Sequence, residues 1–234
     1  MDMMKKTLAE SLPGLGLELP DAIQDQLCAF GHAMVKQNEV MNLTGITEDD
    51  QVAKLHLIDS LTVLKCADLK GKSLIDVGCG AGFPGVPTAI GCPEAKVTLL
   101  DSLAKRMNWL ETILPQLGVN NAECVTARAE EAVVDRRESY DYATSRAVAR
   151  LNILLELTAP YVKVGGAVLA MKGAMAKEEL SECKNAINKL GLKLEEVKEY
   201  PIDGAAHAVI VLRKVKPTPA QYPRRFAKIK QAPL

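Results

Sequence analysis

Apolar residues recur at helical spacing within the first 70 positions. One such stretch spans 21–40, and Pro20-Asp21 is a typical helix start. Its apolar positions are Ile23, Leu27, Phe30, Met34 and Val35. A second helix is predicted over 49–65, after the helix-breaking segment 42–45. We therefore expect a helical extension over residues 1–70.

From Ser73 the pattern changes to short apolar runs that alternate with helical segments. Strands are predicted at 73–77, 96–100, 123–126, 141–144, 166–171, 193–200 and 207–214, and helices at 84–91, 103–117, 129–136, 147–161 and 175–190. This alternation indicates an α/β fold with a mostly parallel sheet and helices on both faces. The link 201–206 is too short for a crossover helix, so the last two strands should pair as an antiparallel hairpin. Residues 71–215 are thus predicted to form a Rossmann-like domain with a seven-stranded sheet.

Composition excludes several classes of protein. The 234 residues are 48% hydrophobic and 25% charged, as in an ordinary globular chain with one core. No apolar run approaches the roughly 18 residues that span a bilayer, and residues 1–12 lack the profile of a signal peptide. We expect a cytoplasmic monomer with no membrane contact. The six cysteines form no C-x-x-C pair and the three histidines are scattered, so we expect free thiols and no metal.

Charge is unevenly distributed along the chain. Residues 213–234 contain seven Lys or Arg and no acid, which leaves 22 bases against 29 acids in 1–212. A basic tail over 216–234 fits a polyanionic partner such as RNA. A solubilising tail, or one that docks on its own domain, explains the same charges.

The first predicted strand runs into a glycine-rich segment, Asp76-Val-Gly-Cys-Gly-Ala-Gly82, and the second strand ends on Asp101. Glycines let a backbone pass close to a ligand, and a carboxylate at the tip of the next strand can accept both hydroxyls of a ribose. Ligands of such sheets lie beyond the carboxyl ends of the strands. The predicted cofactor-binding residues are Gly78, Gly80, Gly82, Phe83, Asp101, Ser102, Ala129, Glu130 and Arg146.

Two cofactors compete for this loop. Gly80-x-Gly82-x-x-Gly85 matches the dinucleotide fingerprint, but Phe83 and Pro84 crowd the position of its third glycine. The glycines also begin earlier, at Gly78. This register favours S-adenosylmethionine (SAM), which has no pyrophosphate for a helix N-terminus to bind.

The choice of methyl acceptor is limited by motifs that other acceptors require and that this sequence lacks or has in the wrong place. Ala143–Ala147 stands where adenine amino-group methyltransferases carry an Asn/Asp-Pro-Pro-aromatic loop. Cys92-Pro93 lies at the wrong end of the sheet for a pyrimidine nucleophile. Methylation of a ribose 2′-oxygen requires a general base, and Lys172 could supply it, so this acceptor is not excluded. Guanine N7 already has a free lone pair, so its methylation needs positioning and no base.

Several segments together resemble one family. They are Asn42-Leu-Thr44, His56-Leu-Ile-Asp-Ser60, Leu74-Ile-Asp-Val-Gly-Cys-Gly-Ala-Gly-Phe-Pro-Gly-Val-Pro87, Leu100-Asp-Ser-Leu-Ala-Lys-Arg106, Ser145-Arg-Ala147, Met171-Lys-Gly173 and the tail from Tyr222 to Leu234. The chain resembles the RsmG family, also called glucose-inhibited division protein B. The resemblance implies a class I SAM-dependent methyltransferase that methylates N7 of guanine 527 in 16S rRNA of the small ribosomal subunit.

Several side chains have more than one role that fits the sequence. Arg146 is the best candidate at the acceptor mouth, although a salt bridge with Asp141 or Asp76 explains it as well. His56 and Asp59 lie three apart on one helix face, which fits either catalysis or a buried structural pair. Predicted RNA contacts are Lys105, Arg106, Lys172, Arg224, Arg225 and Lys228.

The sequence also allows two other functions. A regulator that binds SAM or RNA without transferring a methyl group, and a dinucleotide-dependent oxidoreductase, are the alternative functions. We also expect a cut after Lys216 to weaken RNA binding while sparing SAM binding.

Overall fold

Helices fill the first third of the chain, and strands alternate with helices after it. The computed structural model describes residues 2–234. Its helices are α1 (Met3–Ser11), α2 (Asp21–Met41), α3 (Asp49–Val52), α4 (Asp59–Leu61), α5 (Gly85–Gly91), α6 (Ala104–Gln116), α7 (Ala129–Arg136), α8 (Leu151–Thr158), α9 (Ala176–Glu182), α10 (Lys184–Lys189) and α11 (Phe226–Gln231). Its strands are β1 (Ser73–Val77), β2 (Lys96–Asp101), β3 (Ala122–Thr126), β4 (Tyr140–Arg146), β5 (Val162–Lys172), β6 (Leu192–Ile202) and β7 (Ala205–Lys214).

The strands form one sheet in the order β3-β2-β1-β4-β5-β7-β6. The first five strands are parallel to one another, and β7 pairs antiparallel with both β5 and β6. This confirms the predicted seven-stranded sheet and its antiparallel terminal hairpin. The hairpin turn is shorter than expected, because pairing continues from Ile202 to Ala205 and leaves only Asp203 and Gly204 between the strands.

Strand order also fixes where a ligand can enter. The chain runs outward from β1 to β3 and then returns to β4 on the other side of β1. The crevice outside the carboxyl ends of β1 and β4 is therefore the switch point of the sheet, where ligands of open α/β sheets bind. The glycine-rich segment follows β1 directly, so the sequence places it at this crevice.

The N-terminal helices pack on one face of the sheet. In α2 the predicted apolar residues Leu27, Phe30 and Met34 are buried, and they share one apolar cluster with Leu74 and Leu99 of the sheet. The second predicted helix is a continuous helical run made of α3, a π-helical turn (Ala53–Ile58), α4 and a 3-10 turn (Thr62–Lys65). Division of the chain at residues 70 and 215 stays a prediction.

Two predicted helices differ in extent from those in the structure. The segment 147–150 is an irregular loop in which Ala147 adopts a φ of 56°, and α8 begins only at Leu151. The predicted helix 175–190 is interrupted at Cys183, which separates α9 from α10. No helix among residues 2–234 is long and apolar enough to cross a membrane.

The basic tail docks on its own domain. Tyr222 and Ile229 are buried in the apolar cluster on the second face of the sheet. The guanidinium of Arg137 donates hydrogen bonds to the carbonyl oxygens of Thr218, Pro219 and Tyr222 at 2.8–3.0 Å. The tail also contains the short helix α11.

Candidate active site

A cavity of about 530 Å³ opens at the carboxyl ends of β1, β2 and β4. Eight of the nine predicted cofactor-binding residues line it: Gly78, Gly80, Phe83, Asp101, Ser102, Ala129, Glu130 and Arg146. Its volume lies within the usual range for sites that hold small molecules and cofactors. The structure therefore brings the predicted strand-end residues together in one pocket.

The loop after β1 needs glycine for two different reasons. Gly78 and Gly80 have φ values of 77° and 57°, a region that side chains disfavour. A Cβ on Gly78 would also lie 2.5 Å from Cγ2 of Val148. Gly82 does not line the cavity: its Cβ would meet Val86 at 2.7 Å and Leu110 at 3.0 Å. This geometry fits a packing role between the loop and helices α5 and α6, and the assignment of Gly82 as a cofactor contact stays a prediction.

Asp101 holds the glycine-rich loop in place from the tip of β2. Its Oδ2 accepts the Gly80 N–H at 2.9 Å, and its Oδ1 accepts the Leu103 N–H at 2.9 Å. A carboxylate has about four lone-pair positions, so these two bonds leave acceptors for ligand hydroxyls. The same side chain can therefore shape the loop and receive a ribose.

The carboxylate of Asp76 lies at the N-terminus of α5, where it accepts a backbone hydrogen bond. It is fully buried, and its Oδ2 accepts the Gly85 N–H at 2.7 Å. Burial raises its pKa to about 7, and its Oδ1 has no hydrogen-bond partner among residues 2–234. Because Asp76 already satisfies this helix N-terminus, the arrangement disfavours the pyrophosphate that a dinucleotide would place there.

Arg146 ends β4 and faces the N-terminal helices. Its Nη1 donates to Oδ2 of Asp59 at 2.8 Å and to the Leu55 carbonyl at 2.9 Å. Its guanidinium carbon lies 5.1 Å from the ring centroid of Phe83, within range of a cation–π contact. The ion-pair partner is thus Asp59, and the sequence-based alternative of Asp141 or Asp76 was wrong.

The two rejected partners are bonded elsewhere. Asp141 accepts hydrogen bonds from the backbone N–H and the hydroxyl of Ser73 at 2.9 and 2.8 Å. Asp76 is bonded to Gly85 as described above. The contact of Asp141 could not be read from the sequence, since it joins segments 68 positions apart, whereas that of Asp76 depends on the local path of the loop that leads to Gly85.

Two histidines complete the environment of Arg146. His56 Nδ1 lies 3.3 Å from Arg146 Nη2, and His56 Nε2 lies 2.9 Å from Oγ1 of Thr44. Burial, and secondarily the charge of Arg146, lower the pKa of His56 to about 4, so the ring is neutral near pH 7. The buried pair that the sequence allowed does not form between His56 and Asp59 directly, because both side chains contact Arg146 instead.

His207 was not predicted, because it lies on β7, far along the chain from its partner. Its Nδ1 is 2.9 Å from Oδ1 of Asp59, and this hydrogen bond raises the pKa of His207. Burial alone would raise the pKa of Asp59, but the bonds from His207 and Arg146 outweigh it and lower that pKa. Asp59 is therefore a carboxylate that holds two cationic or polar partners beside the cavity.

The predicted RNA contacts separate into buried and exposed residues. Lys172 is almost fully buried, with its ammonium 2.8 Å from Glu179 and 2.5 Å from the Ala149 carbonyl. Arg224 is bonded to the buried carboxylate of Glu156. These bonds give both side chains a structural partner and argue against the two as phosphate contacts. They also argue against Lys172 as a general base for a ribose acceptor.

The remaining predicted contacts are accessible. Lys105, Arg225 and Lys228 are exposed, and Arg106 lines the cavity near Gly80. Other lining residues were not predicted as cofactor contacts: Leu43, Thr44, His56, Val148, Leu157 and Phe226. Their approach to the cavity depends on tertiary packing, although Leu43, Thr44 and His56 stand in segments that carry the family resemblance.

The fold is that of the class I SAM-dependent methyltransferases. A TYW2 protein from M. jannaschii, solved in complex with AdoMet, superposes with a TM-score of 0.56 at 16% identity over 68% of this chain and 76% of that chain. A SAM-dependent methyltransferase from Aquifex aeolicus gives a TM-score of 0.52 at 19% identity over 69% and 92%. At these identities the likeness shows the fold.

The family is shown by sequence. The profile of the family described as rRNA small subunit methyltransferase G (GidB) matches residues 23–205. Ribosomal RNA small subunit methyltransferase G of Alkaliphilus metalliredigens is 42% identical over 226 residues, which cover 94% of this chain and 95% of the relative. The chain belongs to this family. It is a SAM-dependent methyltransferase. The predicted family resemblance, enzyme class and cofactor are thereby confirmed. The alternatives of a regulator that only binds and of an oxidoreductase are set aside.

Proposed function

We propose that this protein transfers the methyl group of SAM to N7 of a guanine in 16S rRNA, guanine 527 by family analogy. The observation that carries the proposal is the state of the groups around Arg146. His56 is neutral with both ring nitrogens engaged, and Asp59 is bonded to Arg146 and His207. No group on this side of the described pocket is free to take a proton, and N7 has none to lose.

Charge balance supports the same acceptor. SAM supplies a methyl group on a positive sulfonium, and methylation at N7 leaves a positive guanine, so the net charge in the pocket is unchanged. The Asp59 carboxylate lies 2.8 Å from Arg146 and offsets its positive charge. Arg146 can therefore orient an oxygen or phosphate of the acceptor without adding strong repulsion toward either cation.

Cofactor binding is assigned to the residues that line the cavity. Gly78 and Gly80 bring the backbone close to the methionine portion, Asp101 receives the ribose hydroxyls, and the Ala129–Glu130 segment meets the adenine edge. Phe83 packs between Arg146 and the N-terminal helices, and the centroid of its ring lies 4.9 Å from the centroid of the His56 ring. The proposed RNA contacts are Lys105, Arg106, Arg225 and Lys228.

The remaining parts of the proposal concern organisation. Residues 1–70 act as a helical extension, 71–215 as the methyltransferase domain and 216–234 as the basic tail. We propose a monomer that acts on the small ribosomal subunit in the cytoplasm.

The test uses tritiated-methyl SAM with small subunits that lack endogenous N7 methylation. Digestion to nucleosides should place the label in 7-methylguanosine at one 16S position. Label in another nucleoside would retain the cofactor and overturn the acceptor. An Arg146→Lys variant is compared with the parent in the same assay. It keeps the positive charge at this position and loses the forked geometry that binds Asp59 and an acceptor together.

A further inference from the structure

The C-terminal helix α11 reaches the cofactor cavity through a single aromatic side chain. Phe226, its first residue, lines the cavity together with Ala129 and Glu130. The backbone N–H of Phe226 also points to Oε1 of Glu130 at 3.4 Å. The tail therefore contacts the same β3–α7 segment that bears the proposed adenine contacts.

Phe226 is held from both sides along the chain. Two residues earlier, Arg224 donates from its backbone N–H, Nε and Nη2 to the carboxylate of Glu156 at 2.9, 2.8 and 2.6 Å. Glu156 is fully buried, so this is a charge-assisted, forked contact inside the domain. Three residues later, Ile229 is fully buried. An aromatic ring fixed between two such anchors is a preformed part of the pocket wall.

The ring has the chemistry that an adenine requires. Purine faces stack on aromatic side chains, and such contacts are lost on substitution by alanine. The ring of Phe226 also has the ammonium of Lys230 5.9 Å from its centroid, so one more group of α11 keeps it in place. Leu157 of α8 lines the cavity too and adds an apolar surface.

We propose that Phe226 contacts the adenine end of SAM, so that the C-terminal tail forms one wall of the cofactor site. The inference rests on the SAM-dependent function proposed above. It replaces the expectation that a cut after Lys216 spares SAM binding, because such a cut removes Phe226 together with its anchors. Tail docking and cofactor occupancy are then linked: the cofactor stabilises the docked tail.

The first test is calorimetric titration of S-adenosylhomocysteine into the full-length protein and single variants. Phe226→Ala should weaken binding by about tenfold, and Phe226→Leu, which keeps apolar bulk without an aromatic face, by less. Gln231→Ala is the matched control, since it lies at the exposed end of the same helix outside the cavity, and it should bind like the parent.

A second readout does not depend on a substitution. Arg225, Lys228 and Lys230 are trypsin sites in or beside α11, and cleavage there requires the helix to open locally. S-adenosylhomocysteine should slow this cleavage in the parent protein and protect Phe226→Ala less at equal occupancy. Thermal unfolding of the ligand-free variants identifies any that fail to fold.

The outcomes are distinguishable from failure of the proposed function. Unchanged affinity of a folded Phe226→Ala variant, with no protection of the tail in the parent, would overturn the inference while RNA methylation by the parent still stood. Absence of cofactor binding in the parent would instead remove the proposed function itself.

Discussion

Asp59 on α4 and Arg146 at the end of β4 form an ion pair with 2.8 Å between Oδ2 and Nη1. The pair joins the N-terminal extension to the carboxyl edge of the sheet, and both side chains are largely buried. The extension therefore completes the pocket: it supplies the counter-charge and, through His56 and Thr44, part of the wall. A segment that is peripheral in the sequence thus forms part of the cavity wall.

Removing the charge of Asp59 should therefore affect stability and transfer together. Asp59→Asn leaves the guanidinium of Arg146 without its counter-charge in a largely buried position, and we expect the free energy of unfolding to fall by about 2–4 kcal/mol. Methyl transfer should fall as well, since Arg146 loses its fixed orientation. Urea unfolding and RNA methylation measure the two effects.

The control for this substitution is Asp203→Asn. Asp203 pairs with Lys54 at 3.0 Å on the surface of the hairpin turn. Exposed ion pairs contribute little to stability, so this variant should differ little from the parent. Equal stability losses in the two variants would show that the Asp59–Arg146 pair is no more important than a surface contact.

His207 should make stability depend on pH in one direction. Its hydrogen bond to Asp59 raises its pKa above the ordinary 6.5. The folded protein holds this proton more tightly than the unfolded chain, so the contribution is full below about pH 6.5 and is lost as pH rises through the raised pKa. His207→Gln removes it. The stability difference between parent and variant should thus be larger near pH 6 than near pH 8.5.

His56 acts in the opposite direction and does not confuse this comparison. Its pKa is lowered to about 4, so its burial as a neutral ring costs stability as pH falls below about 6.5. Parent and His207→Gln share that contribution, and it cancels in their difference. A stability difference that grows toward alkaline pH would contradict the assigned role of His207.

Much of the site could be predicted because it follows strand ends. Gly78, Asp101 and the Ala129–Glu130 segment each lie at or just beyond the end of a strand, and parallel strands bring their carboxyl ends to one edge of the sheet. Their convergence needs only the alternation of strands and helices. No knowledge of side-chain packing is required, which is why sequence alone was sufficient for them.

The remainder depends on contacts between distant segments. Arg146 was recognised as a site residue, but its partner Asp59 lies 87 positions away on a helix. Lys172 and Arg224 carry the positive charge that an RNA contact needs. In the fold, however, Glu179 pairs with Lys172 and the buried Glu156 pairs with Arg224. Charge along a sequence does not reveal which cations already have a partner in the fold.

Asp101 should matter for cofactor affinity in two separable ways. Asp101→Ala removes the proposed ribose contact and also the acceptor for the Gly80 N–H, so SAM should bind about ten- to a hundredfold more weakly. Asp101→Asn keeps one acceptor oxygen and should lose less. Calorimetry with S-adenosylhomocysteine measures both, and parent-like affinity in the alanine variant would remove Asp101 from the site.

Gly78→Ala tests the requirement for an open loop. Its φ of 77° disfavours an alanine by about 1–2 kcal/mol, and its new Cβ would lie 2.5 Å from Val148. We expect cofactor affinity to fall by about tenfold or more, which is about 1.4 kcal/mol or more in binding free energy. Adding Val148→Ala removes the steric part and should restore some affinity but not all, because the backbone strain remains.

Gly14 provides the comparison for that substitution. A Cβ added at Gly14 would meet nothing within 4 Å, and its backbone is not left-handed. Gly14→Ala should leave cofactor binding unchanged. If Gly78→Ala also binds normally, the loop is not the close-approach surface that its dihedral angles indicate.

Arg224 and Lys228 lie in the same basic tail but should behave differently. Lys228 is exposed, so Lys228→Ala should leave folding intact and lower the slope of log affinity for RNA against log salt by about 1. Arg224→Ala uncouples the buried Glu156, so it should destabilise the protein by roughly 3–5 kcal/mol. Filter binding of 16S rRNA over a range of salt concentrations, together with urea unfolding, separates the two. A reduced salt slope in a stably folded Arg224→Ala variant would return Arg224 to the RNA-binding surface, and an unchanged slope in Lys228→Ala would remove Lys228 from it.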